Sequence, residues 1–171
     1  MPLVSPWALM RRGAAIRPAA TRLGTTTVYV THGQVEAMTL GDRVCVFRDG
    51  QLQQVDTPQT LFDAPANLFV AGFIGSPAMN FVLADLIRDD GPAVSFAGFK
   101  LPVPASVLAG KAGLEEYVGR KVIIGIRPSD FEDAAFGDAD WPRIGAVDTS
   151  RPHFFDPASG ESIGHPAIGR G

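Results

Sequence analysis

The 171 residues include one cysteine, Cys45. No disulfide can close within the chain, and a lone thiol fits a reducing compartment. Histidine is scarce too: His32, His153 and His165 are the only three, and with Cys45 they show no ligand-pair spacing of the zinc type. The chain has no long apolar run, since Pro2 to Met10 is too short and no other stretch approaches the ~20 residues of a transmembrane helix. Nor is positive charge in excess. Fifteen Lys and Arg stand against eighteen Asp and Glu, a net charge of -3, so generic nucleic-acid binding is disfavoured.

Carboxylates are absent from the first thirty-five residues, Glu36 being the first, while Arg11, Arg12, Arg17 and Arg22 are present. This imitates an organellar targeting peptide. Pro2, Pro6 and Pro18 nevertheless interrupt any amphipathic helix, and nothing after them looks secreted. Residues 1–22 are therefore read as an unmatched leader, expected to lack order. What the chain does have is 46% hydrophobic residues, enough for a packed core. Its 19 glycines and 14 prolines suit many short strands better than long helices.

From Thr25 the local signals sharpen. Thr25 to Thr31 is β-branched and aromatic, the composition of a central strand. Gln34 to Leu40 has helical character, with Thr31 or Gly33 placed to cap it and Glu36 in a capping-box position. Arg43 to Arg48 and Gln51 to Asp56 flank Asp49-Gly50, a dipeptide that favours a type I′ hairpin. Thr57-Pro58 opens a helix that stops by Asp63, ahead of Pro65. Ala66 to Ile74 predicts a short apolar helix closed by Gly75-Ser76-Pro77, where a domain boundary is placed. Beyond it, Asn80 to Arg88 and Ala93 to Ala97 form a second hairpin around Asp89-Asp90-Gly91-Pro92. Ala105 to Val118 is helical, weakened by Gly110 and Gly113. Lys121 to Ile126 is an apolar strand, and short strands are expected at Ala146 to Asp148 and His153 to Phe155. Asp130, Glu132, Asp133, Asp138 and Asp140 lack the spacing of a calcium loop and read as a solvated loop. The tail from Pro157 is expected to be loose. The fold class is α+β: a strand, helix and hairpin at the edge of a mixed domain, then a small β-barrel or sandwich.

One residue carries candidate chemistry. A histidine between a buried strand and a helix can hold a terminal phosphate, because helix N-termini collect anions and imidazole donates in a fixed direction. His32 has that placement. On spacing alone such a histidine is more often a loop or capping residue.

The residues also carry a resemblance. Val28-Tyr29-Val30-Thr31-His32-Gly33-Gln34-Val35-Glu36-Ala37-Met38, continuing through Leu40-Gly41-Asp42-Arg43-Val44, resembles the switch-histidine segment of ATP-binding subunits in carbohydrate ABC importers of the maltose and trehalose type. The likeness runs on through Arg48-Asp49-Gly50, Gln53 to Pro58 and Pro65 to Asn80. Gly125-Ile126-Arg127-Pro128 resembles a strand motif of the barrel-like regulatory domain in those subunits, and His153-Phe154-Phe155-Asp156-Pro157 its last strand. The resemblance covers Leu23 to about Asp133 and again Ala146 to about Gly164.

It implies the C-terminal edge of an ABC-type nucleotide-binding domain at residues 23–76, then a shortened OB-like β-barrel regulatory domain at 77–156 and a tail at 157–171. It implies ATP and magnesium as cofactors, with His32 as the switch histidine contacting the γ-phosphate. Its partners would be transmembrane permease subunits and a second ATP-binding subunit, on the inner face of the cell membrane. Departures from the pattern bear on activity. Gly33 stands where the family usually has Asp. The one Gly-Lys pair, Gly110-Lys111, is followed by Ala112, so no phosphate loop is formed. The Asp-Glu strand end that binds magnesium and the Leu-Ser-Gly-Gly-Gln signature do not occur, and Arg143 to Ala146 joins the regulatory domain's start to its final strand. The expectation is a truncated importer ATPase subunit, unable to bind or hydrolyse ATP alone. The alternatives are a non-enzymatic regulatory module that pairs with an intact subunit, or a gene remnant.

Overall fold

The computed structural model describes residue 24 and residues 26–132 and 146–165. The chain divides into two compact units, Met1–Asp63 and Ala64–Gly171. The expected leader lies outside the described residues, as do Asp133, Asp138, Asp140 and the last six positions.

In the first unit, residues 26–31 carry no regular structure and pair with no strand among the described residues. The central strand expected there does not form. Composition supplies strand propensity, but a strand exists only when neighbours complete its ladder, and the unit's one described sheet is a closed two-stranded hairpin. Helix α1 (Gln34–Leu40) follows, with Gly33 as N-cap at φ -91 and ψ 112 and no side-chain cap bond. Strands β1 (Val44–Arg48) and β2 (Gln51–Asp56) pair antiparallel with Arg48 opposite Gln51. The two turn residues Asp49 (φ 50) and Gly50 (φ 76) are both left-handed, as a type I′ turn requires. In α2 (Pro58–Asp63) the Thr57 hydroxyl accepts from the Thr60 amide at 3.2 Å, with proline in the first turn where its missing N–H costs nothing.

The second unit holds the larger core. Helix α3 (Leu68–Phe73) is capped by Asn67, whose side chain accepts from the Val70 amide. Strands β3 (Asn80–Arg88), β4 (Pro92–Phe96), β5 (Phe99–Pro102), β6 (Lys121–Ile126) and β9 (His153–Phe155) form one antiparallel sheet in the order β5-β4-β3-β6-β9. Alternation along β3 and β6 sends Ala84, Leu86, Val122 and Ile124 to one face. There they pack with Val94, Phe154 and Leu108 of helix α4 (Ala105–Gly110). The opposite face carries Phe155 against Ala71 of α3 and Met79. Gly125 is the contact that lets this layer close, because a Cβ there would overlap the Met79 sulfur and press on Phe155.

The second hairpin is longer than expected. Ala97 (φ 49) and Gly98 (φ 82) make another left-handed turn and return the chain as β5, paired Phe96 to Phe99. The expected helix at 105–118 breaks instead. It stops at Gly110, and after Gly113 in the left-handed region resumes as a 3-10 turn at Leu114–Tyr117, consistent with the cost of two glycines. Asp130 is buried rather than solvated. It ends a 3-10 turn (Pro128–Asp130), and its carbonyl accepts from the Asp148 amide beside the short pair β7 (Phe131–Glu132) and β8 (Ala146–Val147). The tail is not loose where it is described. Ser162 N donates to Ala66 O and Ile163 N to Phe154 O, with Ile163 buried, so residues 161–163 cover the edge beyond β9 and satisfy backbone groups that would otherwise lack partners.

Candidate functional site

His32 sits at the bend between residues 26–31 and α1, and it is exposed. Three bonds fix the chain on either side of it. The Thr31 hydroxyl donates to Glu36 Oε2 at 2.6 Å, the Gly33 amide donates to the Thr31 hydroxyl oxygen at 2.9 Å, and the Tyr29 hydroxyl reaches Glu36 Oε2 at 3.5 Å. Glu36 thus closes onto Thr31 instead of the N-cap backbone amide that a capping box would use. The result is a braced loop that holds the imidazole outward, just ahead of a helix N-terminus.

Chemically the loop offers a single imidazole and no further catalytic group. Gly110-Lys111 lies at the C-terminal end of α4, whereas a phosphate loop must open a helix so that its amides face the anion. Burial holds the Lys111 ammonium below its usual range, and Gly164 packs onto the Lys111 backbone. These are features of a packed lysine. Among the described residues no group of three His, Cys, Asp or Glu could hold a metal ion. Among the described residues neither a helix-opening phosphate loop nor a metal cluster is present, and no catalytic step is assigned to them.

The other two histidines are structural. His153 is buried in β9 and stacks on Phe155 with ring centroids 6.5 Å apart. His165 meets Ala64 O at 3.0 Å. Sequence reading also missed a polar network around Asp156. Its carboxylate accepts from the Ser159 amide, the Tyr117 hydroxyl at 2.8 Å, the Ser159 hydroxyl and the Ala158 amide. The Ser159 amide above all, then Tyr117 and the Ser159 hydroxyl, hold the Asp156 carboxyl down to about 2. The same Tyr117 bond raises the phenol. Asp156-Pro157-Ala158-Ser159-Gly160 carries the signal that could have found it: an Asx turn with an acid at its head.

Residues 75–131 match the MalK OB fold domain. The trehalose/maltose import ATP-binding protein MalK of Thermococcus litoralis is 51% identical over 136 residues, which is 78% of this chain and 35% of that protein. The diacetylchitobiose uptake system ATP-binding protein MsiK of Streptomyces coelicolor is 55% identical over 111 residues, 65% of this chain and 28% of that protein. The trehalose import ATP-binding protein SugC of Mycobacterium tuberculosis is 53% identical over 127 residues, 74% of this chain and 30% of that protein. The chain thus spans about a third of the length of the relatives it matches. It resembles the C-terminal part of sugar ABC importer ATP-binding subunits, and its fold is α+β with a partial OB-like domain. No described helix is long and apolar enough to cross a membrane.

Proposed function

We propose that these residues serve as the C-terminal part of an ATP-binding subunit in a sugar ABC import system. The identity of 51% over 136 residues to a trehalose/maltose import ATP-binding protein carries the reading. In it, residues 23–76 belong to the nucleotide-binding domain and 77–156 to the regulatory domain, with 157–171 as its tail. His32 acts as the switch that contacts the γ-phosphate and positions the attacking water, a role in keeping with phosphoryl transfer, where positioning and electrostatics do most of the catalysis. The phosphate loop and magnesium ligands come from outside these 171 residues, so the chain alone neither binds nor hydrolyses ATP. Permease subunits and a second ATP-binding subunit are its partners, at the inner face of the membrane. The sugar is not specified, because the relatives' printed substrates differ while identity stays above one half.

The test is a chimera in which the N-terminal region of the Thermococcus protein precedes residues 26–165 of this chain, assembled with that protein's permease. Hydrolysis of ATP is expected, falling by about 100-fold or more on His32→Ala, the scale of a positioned proton-handling group. Hydrolysis unchanged by His32→Ala would remove the histidine from the mechanism, and no hydrolysis at all would count against the whole reading. A second reading, as a regulatory module without ATPase activity, is favoured by the self-contained core of the second unit. Co-purification with an intact ATP-binding subunit, without any change in turnover on His32→Ala, is its signature.

A further inference from the structure

The chain has three lysines, Lys100, Lys111 and Lys121, and two of them hold carboxylates at the surface. Lys100 reaches Asp89 Oδ2 at 3.0 Å and Lys121 reaches Asp85 Oδ1 at 3.1 Å. Lys111 differs from both. It is half-buried where they are exposed, and no ion pair to it occurs among the described residues. Its surroundings are also one-sided. Gly164 presses on its backbone, where a Cβ would lie 2.9 Å from the Lys111 Cα. On the other side Gly110 and Gly113 have empty space where a side chain would stand, and Ala109, Gly110, Ala112 and Gly113 are all exposed.

This arrangement joins two properties that usually exclude one another at a lysine. An exposed ammonium is within reach but stays protonated, the more so when a carboxylate faces it, and its lone pair is unavailable. An amine deep in a core is neutral but out of reach. At Lys111 burial favours the neutral amine, while the small residues flanking it leave a path from solvent. Of the two carboxylates on the turn that follows, Glu115 pairs with Arg88 at 2.7 Å, and Glu116 is exposed and acts on Tyr117. Neither holds the charge on Lys111. Desolvation without a counter-charge is how lysine nucleophiles are activated.

We propose that Lys111 is an acylation site, its amine taking the acyl group of a small activated donor, an acyl phosphate or an acyl thioester. The neutral amine attacks the acyl carbonyl. A C–N bond forms as the acyl C–O or C–S bond breaks, phosphate or thiolate leaves with the bonding pair, and the nitrogen gives one proton to water. A cation thereby becomes a neutral amide. The penalty for keeping a charge beneath the segment that carries Gly164 is removed, so acylation fastens residues 161–163 over the edge beyond β9. The inference goes beyond the importer reading and does not depend on it.

Peptide mass mapping of the 171-residue chain tests this, with acetyl phosphate in one arm and acetyl-coenzyme A in the other. Lys111 should acetylate about tenfold or more faster than Lys100 and Lys121, and the lead should vanish in urea, where the three amines are equally solvated. A lead in either arm sustains the proposal and identifies the donor. Equal rates in both arms overturn it, as does Lys111 being the slowest in both, which would show a packed amine that no donor reaches. A lead that persists in urea overturns it too, because it would then arise from the flanking residues and not from the fold. Hydrogen exchange at the Ile163 amide, which donates to Phe154 O at 2.8 Å, reads the consequence. It should slow by about twofold or more in the acetylated chain, and unchanged or faster exchange overturns the fastening. Lys111→Arg keeps a cation and removes the amine. Slowing at Ile163 that survives Lys111→Arg overturns the assignment to this lysine.

Discussion

Gly33 is the residue at which the loop's structure and its chemistry separate. Its φ and ψ are ordinary for any residue, and a Cβ would meet Glu36 Oε2 and Thr31 Oγ1 at 3.4 Å, normal contact. Gly33→Asp should therefore fold unchanged. The cap it adds is worth a few tenths of a kcal/mol over glycine, and the nearby Glu36 carboxylate opposes it, so thermal stability should move by less than about 0.5 kcal/mol. Turnover in the chimera should respond far more than melting does, which a paired measurement of the two would show. Gly164 behaves otherwise. At φ 83, with a Cβ that would lie 2.9 Å from the Lys111 Cα, Gly164→Ala meets both left-handed strain and immovable backbone. A loss of about 2 kcal/mol is expected in denaturant unfolding. Asp156 sets an acid limit. Its carboxyl is depressed to about 2 in the fold against about 3.9 in an open chain. Its contribution is thus fully present above the unfolded value and is lost as pH falls from about 4 towards 2. Asp156→Asn should remove that part of the acid slope in a melting series, and an unchanged slope would show that the network does not stabilise the fold.

At the scale of elements, β9 shows how little length a strand needs when its side chains are large. It has three residues, yet Phe154 and Phe155 are fully buried on opposite faces of the sheet, one in the main core and one under α3. Phe154→Ala should cost about 3–5 kcal/mol, read as a lower denaturation midpoint with the slope unchanged. Elements whose signals were local were legible in the sequence: Asp49-Gly50 wrote its own turn, Thr57 its cap, and Lys121 to Ile126 its apolar strand. Elements that depend on a distant partner were not. Thr26 to Thr31 has strand composition but no paired strand among the described residues. Residues 161–163 look like a tail, but an uncovered edge beyond β9 gives them a place. Phe99–Pro102 was passed over because Lys100 and Pro102 dilute a strand pattern, although both suit an outer edge. The candidate site was legible as a single histidine, its bracing by Thr31 and Glu36 less so, since a capping box and this closed loop share the same residue types at the same spacing.

Across the molecule, apolar burial is divided unevenly, and that sets which part can hold structure alone. The second unit carries a cluster running from Ala84 to Ile163, with strands paired on both sides of β3 and β6. Among its described residues the first has one hairpin and two short helices, with more large apolar side chains exposed than buried. Two-stranded sheets are marginal in water without a further layer, so the two units should not melt as one. Residues 64–165 expressed separately should unfold cooperatively with a midpoint within a few degrees of the whole chain's, because the first unit has little to add. Within the full chain, amides of Leu86, Val122 and Ile124 should exchange only with global unfolding, and those of α1 and the β1–β2 hairpin at far lower free energies. A single transition shared by both sets of amides would refute this and would mean that the first unit draws its stability from the second.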